Sequence, residues 1–392
     1  MLTLKLALRN LIGAGTRTWL NVLVTSLSFV LIIFMSGMYR GLIEYAMRIM
    51  IATEIGGGEY WHPLYDPEDP LSIDDAHGLL PPGIAAQVAQ GRAMPVLVIQ
   101  GSMYPNGRMM PTLIKGIPPG QQVVDLPTGD LALPRTDRVV PVFIGTGMAQ
   151  STRLQLGDRF TLRWMDAEGT YDAVEAEVVT IVDMENFKVD RGQVWIPLAR
   201  LQQMAAMADE ATYAVVSRET DLLLDTGSWL ARSVKHLLQD IVQMVQADQA
   251  YAKSMYGMLI GLAALGIFNS QVLSIFRRQK EIGTLMALGM TRSRLVGLFT
   301  LEGGLHSLLA LILAAVYGGP LLYLAASRGI PLPYEGADIG FVMAKRLFPV
   351  YSVGLLVGTT ALVAGIVTLV SYLPARKIAQ LKPTEALRGR VI

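Results

Sequence analysis

The 392-residue chain is 52% apolar and 17% charged, with a mean hydropathy of +0.41, too apolar for an ordinary soluble domain, a disordered segment or a nucleic-acid-binding arm. Its formal net charge of +1 hides a partition: residues 40–250 hold 16 Lys+Arg and 27 Asp+Glu (−11), and the rest holds 17 and 5 (+12). There is no cysteine, which excludes disulfides, thiolate metal sites and cysteine nucleophiles and leaves the compartment open.

In chain order, residues 1–18 form a basic leader whose stretch 2–12 predicts an amphipathic helix, with Leu4, Leu8 and Leu11 on one face and Lys5 and Arg9 beside it. That pattern suits a helix lying at a membrane surface, its cations near anionic headgroups. A first span follows at 19–38; it is too long for a signal-peptide core, and no small-residue cleavage site follows Met38. Residues 39–253 carry the acidic excess and predict a stalked α+β domain. A second span covers 254–276, uncharged from Met255 but polar at Asn269, Ser270 and Gln271. A basic loop (277–304), a third span (305–326), a short loop (327–349), a fourth span (350–373) and a basic tail (374–392) complete the chain. Each span meets the length of about 20 apolar residues that a bilayer core requires. The expected fold class is therefore an α-helical membrane protein with four transmembrane helices and a large extracytoplasmic α+β domain inserted between helices 1 and 2.

Lysine and arginine concentrate in 1–18, in 277–304 and after the fourth span, whereas 327–349 has only Arg328, Lys345 and Arg346. By the positive-inside rule both termini and the 277–304 loop face the cytoplasm, and the acidic block faces outward.

Within that block, turn residues run from Gly56 to Gly83. Strands are expected at 95–100, 112–117, 139–144, 159–164, 173–182 and 212–217, and short helices at 147–154 and 198–207. The strands 159–164 and 173–182 read as an antiparallel pair turning at Glu168-Gly169, inside a β-rich insertion spanning about 105–200. Residues 228–251 read as a long amphipathic helix running into the second span.

Several chemistries lack their residues. His62, His77, His236 and His306 share no metal-ligand spacing, and no HExxH occurs. The acidic run Asp66, Glu68, Asp69, Asp74 and Asp75 lacks an EF-hand glycine, Leu71 standing in its place, and reads as a solvated loop. No P-loop and no G-x-S-x-G elbow exists. His306 is the one ionisable residue within the four predicted spans.

The basic loop reads Arg277-Arg278-Gln279-Lys280-Glu281-Ile282-Gly283-Thr284-Leu285-Met286-Ala287-Leu288-Gly289-Met290-Thr291-Arg292. It predicts a short amphipathic helix in which Ile282, Leu285, Met286 and Leu288 supply apolar contacts. Gly289 can end that helix in the left-handed conformation and Thr291 can cap the next one. An exposed apolar helix flanked by cations suits docking of another protein. The stretch resembles the coupling segment of FtsX-like ABC transporter permeases, a basic residue followed by Glu-Ile-Gly and Ala-x-Gly. Pro374-Ala375-Arg376-Lys377 with Lys382-Pro383-Thr384-Glu385-Ala386-Leu387-Arg388 is similar to that family's C-terminal signature, and Ala7-Leu8-Arg9-Asn10-Leu11 to its opening.

The resemblance implies a membrane subunit, not itself an enzyme, that dimerises with a second permease and pairs with an ABC ATPase. No cofactor is expected in this chain; ATP and Mg would be bound by the partner ATPase. It implies coupling residues at Arg278, Lys280, Glu281, Ile282, Gly283, Leu285, Ala287 and Gly289, against the plainer reading of a solvated helix face. It implies residence in the bacterial inner membrane and an output relayed to the external domain rather than a path through the bilayer. Tyr60-Trp61-His62-Pro63-Leu64-Tyr65 resembles the post-stalk segment of lipoprotein-releasing permeases, and Leu156-Gly157-Asp158-Arg159-Phe160-Thr161-Leu162 resembles the Gly-Asp turn of both these and macrolide exporters. Lipoprotein release, with a periplasmic carrier, is favoured over efflux with an adaptor, and regulation of cell-wall hydrolases comes third. Partners would include membrane lipids, and no nucleic acid is expected. Asn269 and Gln271 are candidates for hydrogen bonds across a dimer interface, or within the chain. Gly354 and Gly358 are candidates for close helix approach. Met35, Met38, Tyr39 and Leu42 are candidates for an acyl-chain groove, or for ordinary stalk packing.

Overall fold

The computed structural model of the chain describes residues 16–132, 139–183, 187–223, 225–331 and 346–378. The leader helix expected at 2–12, the signature at 382–388 and residues 332–345 of the short loop lie outside the described residues. The chain divides into a helical unit (described residues 16–42, 244–331 and 346–378) and a β-rich unit (43–243).

Five helices matter most: α1 (Thr16–Met50), α2 (Gln239–Arg277), α3 (Gln279–Ala287), α4 (Arg292–Arg328) and α5 (Val353–Ile378). Four stretches are long and apolar enough to cross a membrane: Trp19–Ile55, Lys253–Arg277, Arg292–Arg328 and Val353–Arg376. Within the helical unit, α1, α2, α4 and α5 share one core of Val22, Phe29, Ile32, Ile260, Ile267, Ala310, Ala314, Val363 and Val367. Leu20, Leu23, Leu27, Leu262, Leu308, Val316 and Leu362 point outward with much of their surface open. So broad an apolar surface suits hydrocarbon rather than water.

Two glycines let these helices close. A Cβ on Gly303 of α4 would lie 2.0 Å from Ser371 Oγ of α5, and one on Gly318 would lie 2.4 Å from Val30 of α1. The expected close-approach pair Gly354 and Gly358 instead lies on a more open face of α5, where a Cβ on either would meet no atom within 4 Å. Because α4 starts at Arg292, Glu302 stands inside a membrane-length helix, which corrects the expectation that His306 alone is ionisable there.

In the β-rich unit the strands of the main sheet are β1 (Gly58–Trp61), β3 (Ala93–Tyr104), β4 (Met110–Ile117), β5 (Val139–Gly145), β6 (Arg159–Met165), β7 (Tyr171–Val182), β8 (Gln193–Pro197), β10 (Tyr213–Val216) and β11 (Leu230–Ser233); β2 (Gly78–Leu79) and β9 (Glu210–Ala211) form a separate ribbon. The sheet order is β11-β1-β10-β3-β4-β8-β5-β7-β6, and β6 pairs back onto β3, so six strands close into a ring. Gly101 sits where β3 meets β6; a Cβ there would lie 2.4 Å from Ile114 and 2.9 Å from the Arg163 carbonyl.

The period-2 alternation of a strand sorts β3 cleanly. Leu97, Ile99 and Met103 face the ring interior with Val140, Val142, Ile144, Phe160, Leu162 and Trp164, while Met94, Val96 and Val98 face a second core with Phe143 and Trp195. Phe143 and Trp195, registered neighbours on β5 and β8, stack at 4.5 Å. The expected helix over 228–251 is corrected. Leu230–Ser233 forms β11 against β1, Ser233 caps a single turn at Val234–Leu237, and α2 begins only at Gln239. Pairing with a strand distant in sequence overrides the local helical pattern.

Candidate functional site

The turn between α2 and α4 is built by local rules. Arg278 leaves helical geometry (φ −103°, ψ 15°) and separates α2 from α3. At the other end Gly289 holds φ +92°; Met290 N–H donates to Leu285 O at 3.0 Å and Gly289 N–H to Met286 O at 3.1 Å, the paired bonds of a Schellman cap. Thr291 Oγ1 then accepts from Arg294 N–H and starts α4.

The helical period divides α3 into two faces. Ile282 is 1% exposed, and Leu285, Met286 and Met290 pack beside it onto Ile275, Leu295, Phe299 and Ala375. Outward lie Lys280, Glu281, Thr284, Ala287 and Leu288, followed by Gly289, Thr291, Arg292 and Arg294. Leu288 is 79% exposed, and Lys280, Arg292 and Arg294 of the same turn region are exposed as well.

The eight residues proposed for coupling therefore fall on two sides. Lys280, Glu281, Ala287 and Gly289 are exposed, whereas Ile282 and Gly283 are buried and Arg278 and Leu285 half-buried. Arg278 donates through Nε to Glu281 Oε2 at 2.8 Å and through Nη1 to Glu302 Oε2 at 3.2 Å, with its guanidinium over the Phe299 ring. Glu302 and Phe299 were not singled out from the sequence. They stand two to three helical turns into α4, and no local signal connects them to Arg278.

Among the other candidates, Gln271 is 3% exposed and its Nε2 lies beside Gly303, so it belongs to packing within the chain. Asn269 is exposed. Met35, Met38, Tyr39 and Leu42 are all half-buried along one stretch of α1. On the same stretch, Gly37 and Gly41, a small-xxx-small pair that passed unnoticed in the sequence, receive residues 348–351. The Val350 N–H donates to Gly37 O at 2.9 Å, and Cβ atoms at Gly37 and Gly41 would each lie 2.2 Å from Tyr351 or the Phe348 carbonyl. Among the described residues no group of three or more His, Asp or Glu side chains is arranged to hold a metal ion.

In the β-rich unit, the segment 59–65 builds an aromatic cluster rather than an open site. Trp61 meets Tyr65 edge-on at 5.2 Å, Tyr65 stacks on Tyr213 at 5.6 Å, and Arg232 covers Trp61. Burial pushes the Glu59 carboxyl up to about 7, while the hydrogen bond from Trp61 Nε1–H and nearby Lys115 pull the other way and Glu54 adds to the rise.

Four apolar helices of bilayer length, two of them joined by a capped turn that offers one face outward, mark a membrane protein. Residues 253–383 match the FtsX-like permease C-terminal family, a stretch that runs from α2 through the turn and past α5. Over that stretch the chain is similar to FtsX-like ABC transporter permeases. It is 30% identical over 171 residues to an uncharacterized ABC transporter permease of Methanocaldococcus jannaschii, covering 44% of this chain and 39% of that protein. It is 34% identical over 130 residues to the macrolide export ATP-binding/permease protein MacB of Nitrobacter winogradskyi, covering 33% of this chain and 17% of the other. The MacB of Wolinella succinogenes is 28% identical over 156 residues, 40% of this chain and 22% of the other. The matches thus span well under half the length of these relatives.

Proposed function

We propose that the chain is the permease subunit of an ABC transporter, and that a separate ATPase, binding ATP and Mg, docks on the outward face of α3 and drives motion of the β-rich unit. The observation that carries this reading is the capped turn, which leaves Leu288 79% exposed on a basic loop. Docking a partner there removes the apolar surface of Leu288 from water, which favours association. The reading places the chain in a bacterial inner membrane with both termini and α3 cytoplasmic and 43–243 periplasmic, paired with a second permease. Leu288→Asp puts a charge at the centre of the contact and leaves the inward face of α3 alone, unlike a change at half-buried Leu285. Full-length chain carrying it should lose the ATPase that co-purifies with the native chain in detergent; undiminished capture would remove α3 as the contact.

Two outputs remain in view, each with its own support. The MacB relatives favour export of a solute from the outer side with an adaptor. The segment Tyr60–Tyr65 and the half-buried row Met35, Met38, Tyr39 and Leu42 favour release of lipoproteins, whose acyl anchors would meet those side chains. Photocrosslinking from Met38 and Leu42 separates them: adducts with radiolabelled lipoprotein that disappear on adding ATP support release, and their absence beside adaptor adducts from the β-rich unit supports export.

A further inference from the structure

Arg278 is held on three sides, and the three partners differ in what surrounds them. Glu281 has a side chain 65% exposed, on the outward face of α3, whereas the Glu302 side chain is 5% exposed, inside α4. One guanidinium thus spans a surface carboxylate and a buried one, with Phe299 beneath it. The main chain changes direction at this same residue. Glu302 is itself fixed to its surroundings. The next residue, Gly303, is in tight contact with Ser371 of α5 and lies beside Gln271 of α2, and His306 Nδ1 bonds the Glu302 carbonyl at 2.7 Å. A shift of Glu302 therefore shifts the level at which α2, α4 and α5 meet.

We infer that the Arg278–Glu302 pair is the positioning link that passes engagement of α3 to α4. The inference rests on the reading that α3 receives an ATPase. A cationic group brought to exposed Glu281 competes with Arg278 Nε for that carboxylate. The guanidinium cannot abandon Glu302, because a buried carboxylate without its partner is strongly disfavoured. Displacement of Arg278 from Glu281 consequently carries α4 with it through Glu302. The fork geometry of arginine is what permits two carboxylates to be held at once; a lysine ammonium is a point charge without that reach.

The test uses the full chain with its co-purifying ATPase in lipid nanodiscs. Since the sequence has no cysteine, Leu27→Cys and Leu308→Cys, both at exposed positions of α1 and α4, carry the only spin labels on the chain. Distances are compared before and after ATP with vanadate. In the otherwise native chain the distribution shifts. In Glu302→Gln the ATPase is retained at the same ratio, and the fraction of molecules that shift falls by about tenfold, within the usual range for coupling between two sites. Should Glu302→Gln not accumulate, Arg278→Lys is measured with the same expected loss. An undiminished shift, or loss of the ATPase itself from Glu302→Gln, overturns the inference. Failure of the native chain to capture any ATPase is a different result: it removes the docking reading, and the inference with it.

Discussion

Gly289 shows how one backbone angle shapes the docking turn. At φ +92° a side chain is strained, and the two cap bonds that close α3 depend on that conformation. Gly289→Ala should cost about 1 kcal/mol, which corresponds to roughly a fivefold weakening if the strain falls on the docked state. Titration of ATPase capture from detergent extracts measures it. Glu59 offers a different residue-scale readout. Its carboxyl rises from 4.5 to about 7 on burial, so the folded state holds the proton more tightly than the unfolded chain. The resulting stabilisation is fully present below pH 4.5 and is lost as pH rises through about 7, amounting to at most about 3 kcal/mol. The melting temperature of the full chain should therefore fall between those values, and Glu59→Gln, which still accepts from Trp61, should flatten the profile. An unchanged slope in the variant would assign the pH dependence to another group.

Among the helices, the contrast between Gly303 and Gly354 is the most telling. Gly303→Leu must displace Ser371 and should lower accumulation and melting temperature, since overpacking costs about 1–3 kcal/mol or more. Gly354→Leu meets open space within the chain and should leave the melt unchanged. If a second permease packs on that face, the same variant lowers the dimer fraction in native gels. Spacing alone did not distinguish these glycines, because small residues at four-residue intervals say nothing about which face meets a neighbour. The strands of the ring were legible from alternation, as in Arg159–Met165, where every second residue is buried. Closure of β6 onto β3 was not, since it depends on Gly101 allowing the Arg163 carbonyl to approach. For α3 the helix, its stop and the following cap were all written in Gly289 and Thr291. Its orientation was not, because apolar residues occur on both faces and only packing against Phe299 and Ala375 decides between Ile282 and Leu288.

The whole molecule carries its charge in two opposed portions, and topology is where that partition can be tested. With the acidic 40–250 stretch outside, protease added to intact spheroplasts should cut within 43–243 and spare the 277–291 turn. Protection of the β-rich unit would invert the proposed arrangement and the site of ATPase docking with it. The count of long apolar helices was legible from hydropathy, yet their extent was not. The third of them begins at Arg292 and encloses Glu302, whose charge hides its membership until Arg278 is seen beside it.

The strap formed by residues 346–352 constrains how α1, α4 and α5 can move relative to one another. Arg346-Leu347 pairs with Ile330-Pro331 at the exit of α4, Val350 and Tyr351 seat on Gly37, Arg40 Nη1 donates to Ser352 Oγ at 2.8 Å, and Ser352 in turn bonds the first turn of α5. The exit of α4, the start of α5 and the stretch 37–41 of α1 are thereby laced into a single collar. A gap between α1 and α5 at this level would break both hydrogen bonds and lift an aromatic ring from a glycine made to receive it. On the proposed function, a guest reaching Met35, Met38, Tyr39 and Leu42 would arrive on the flank of α1 away from the collar, and a driven motion would turn the collar as one body rather than pry it apart.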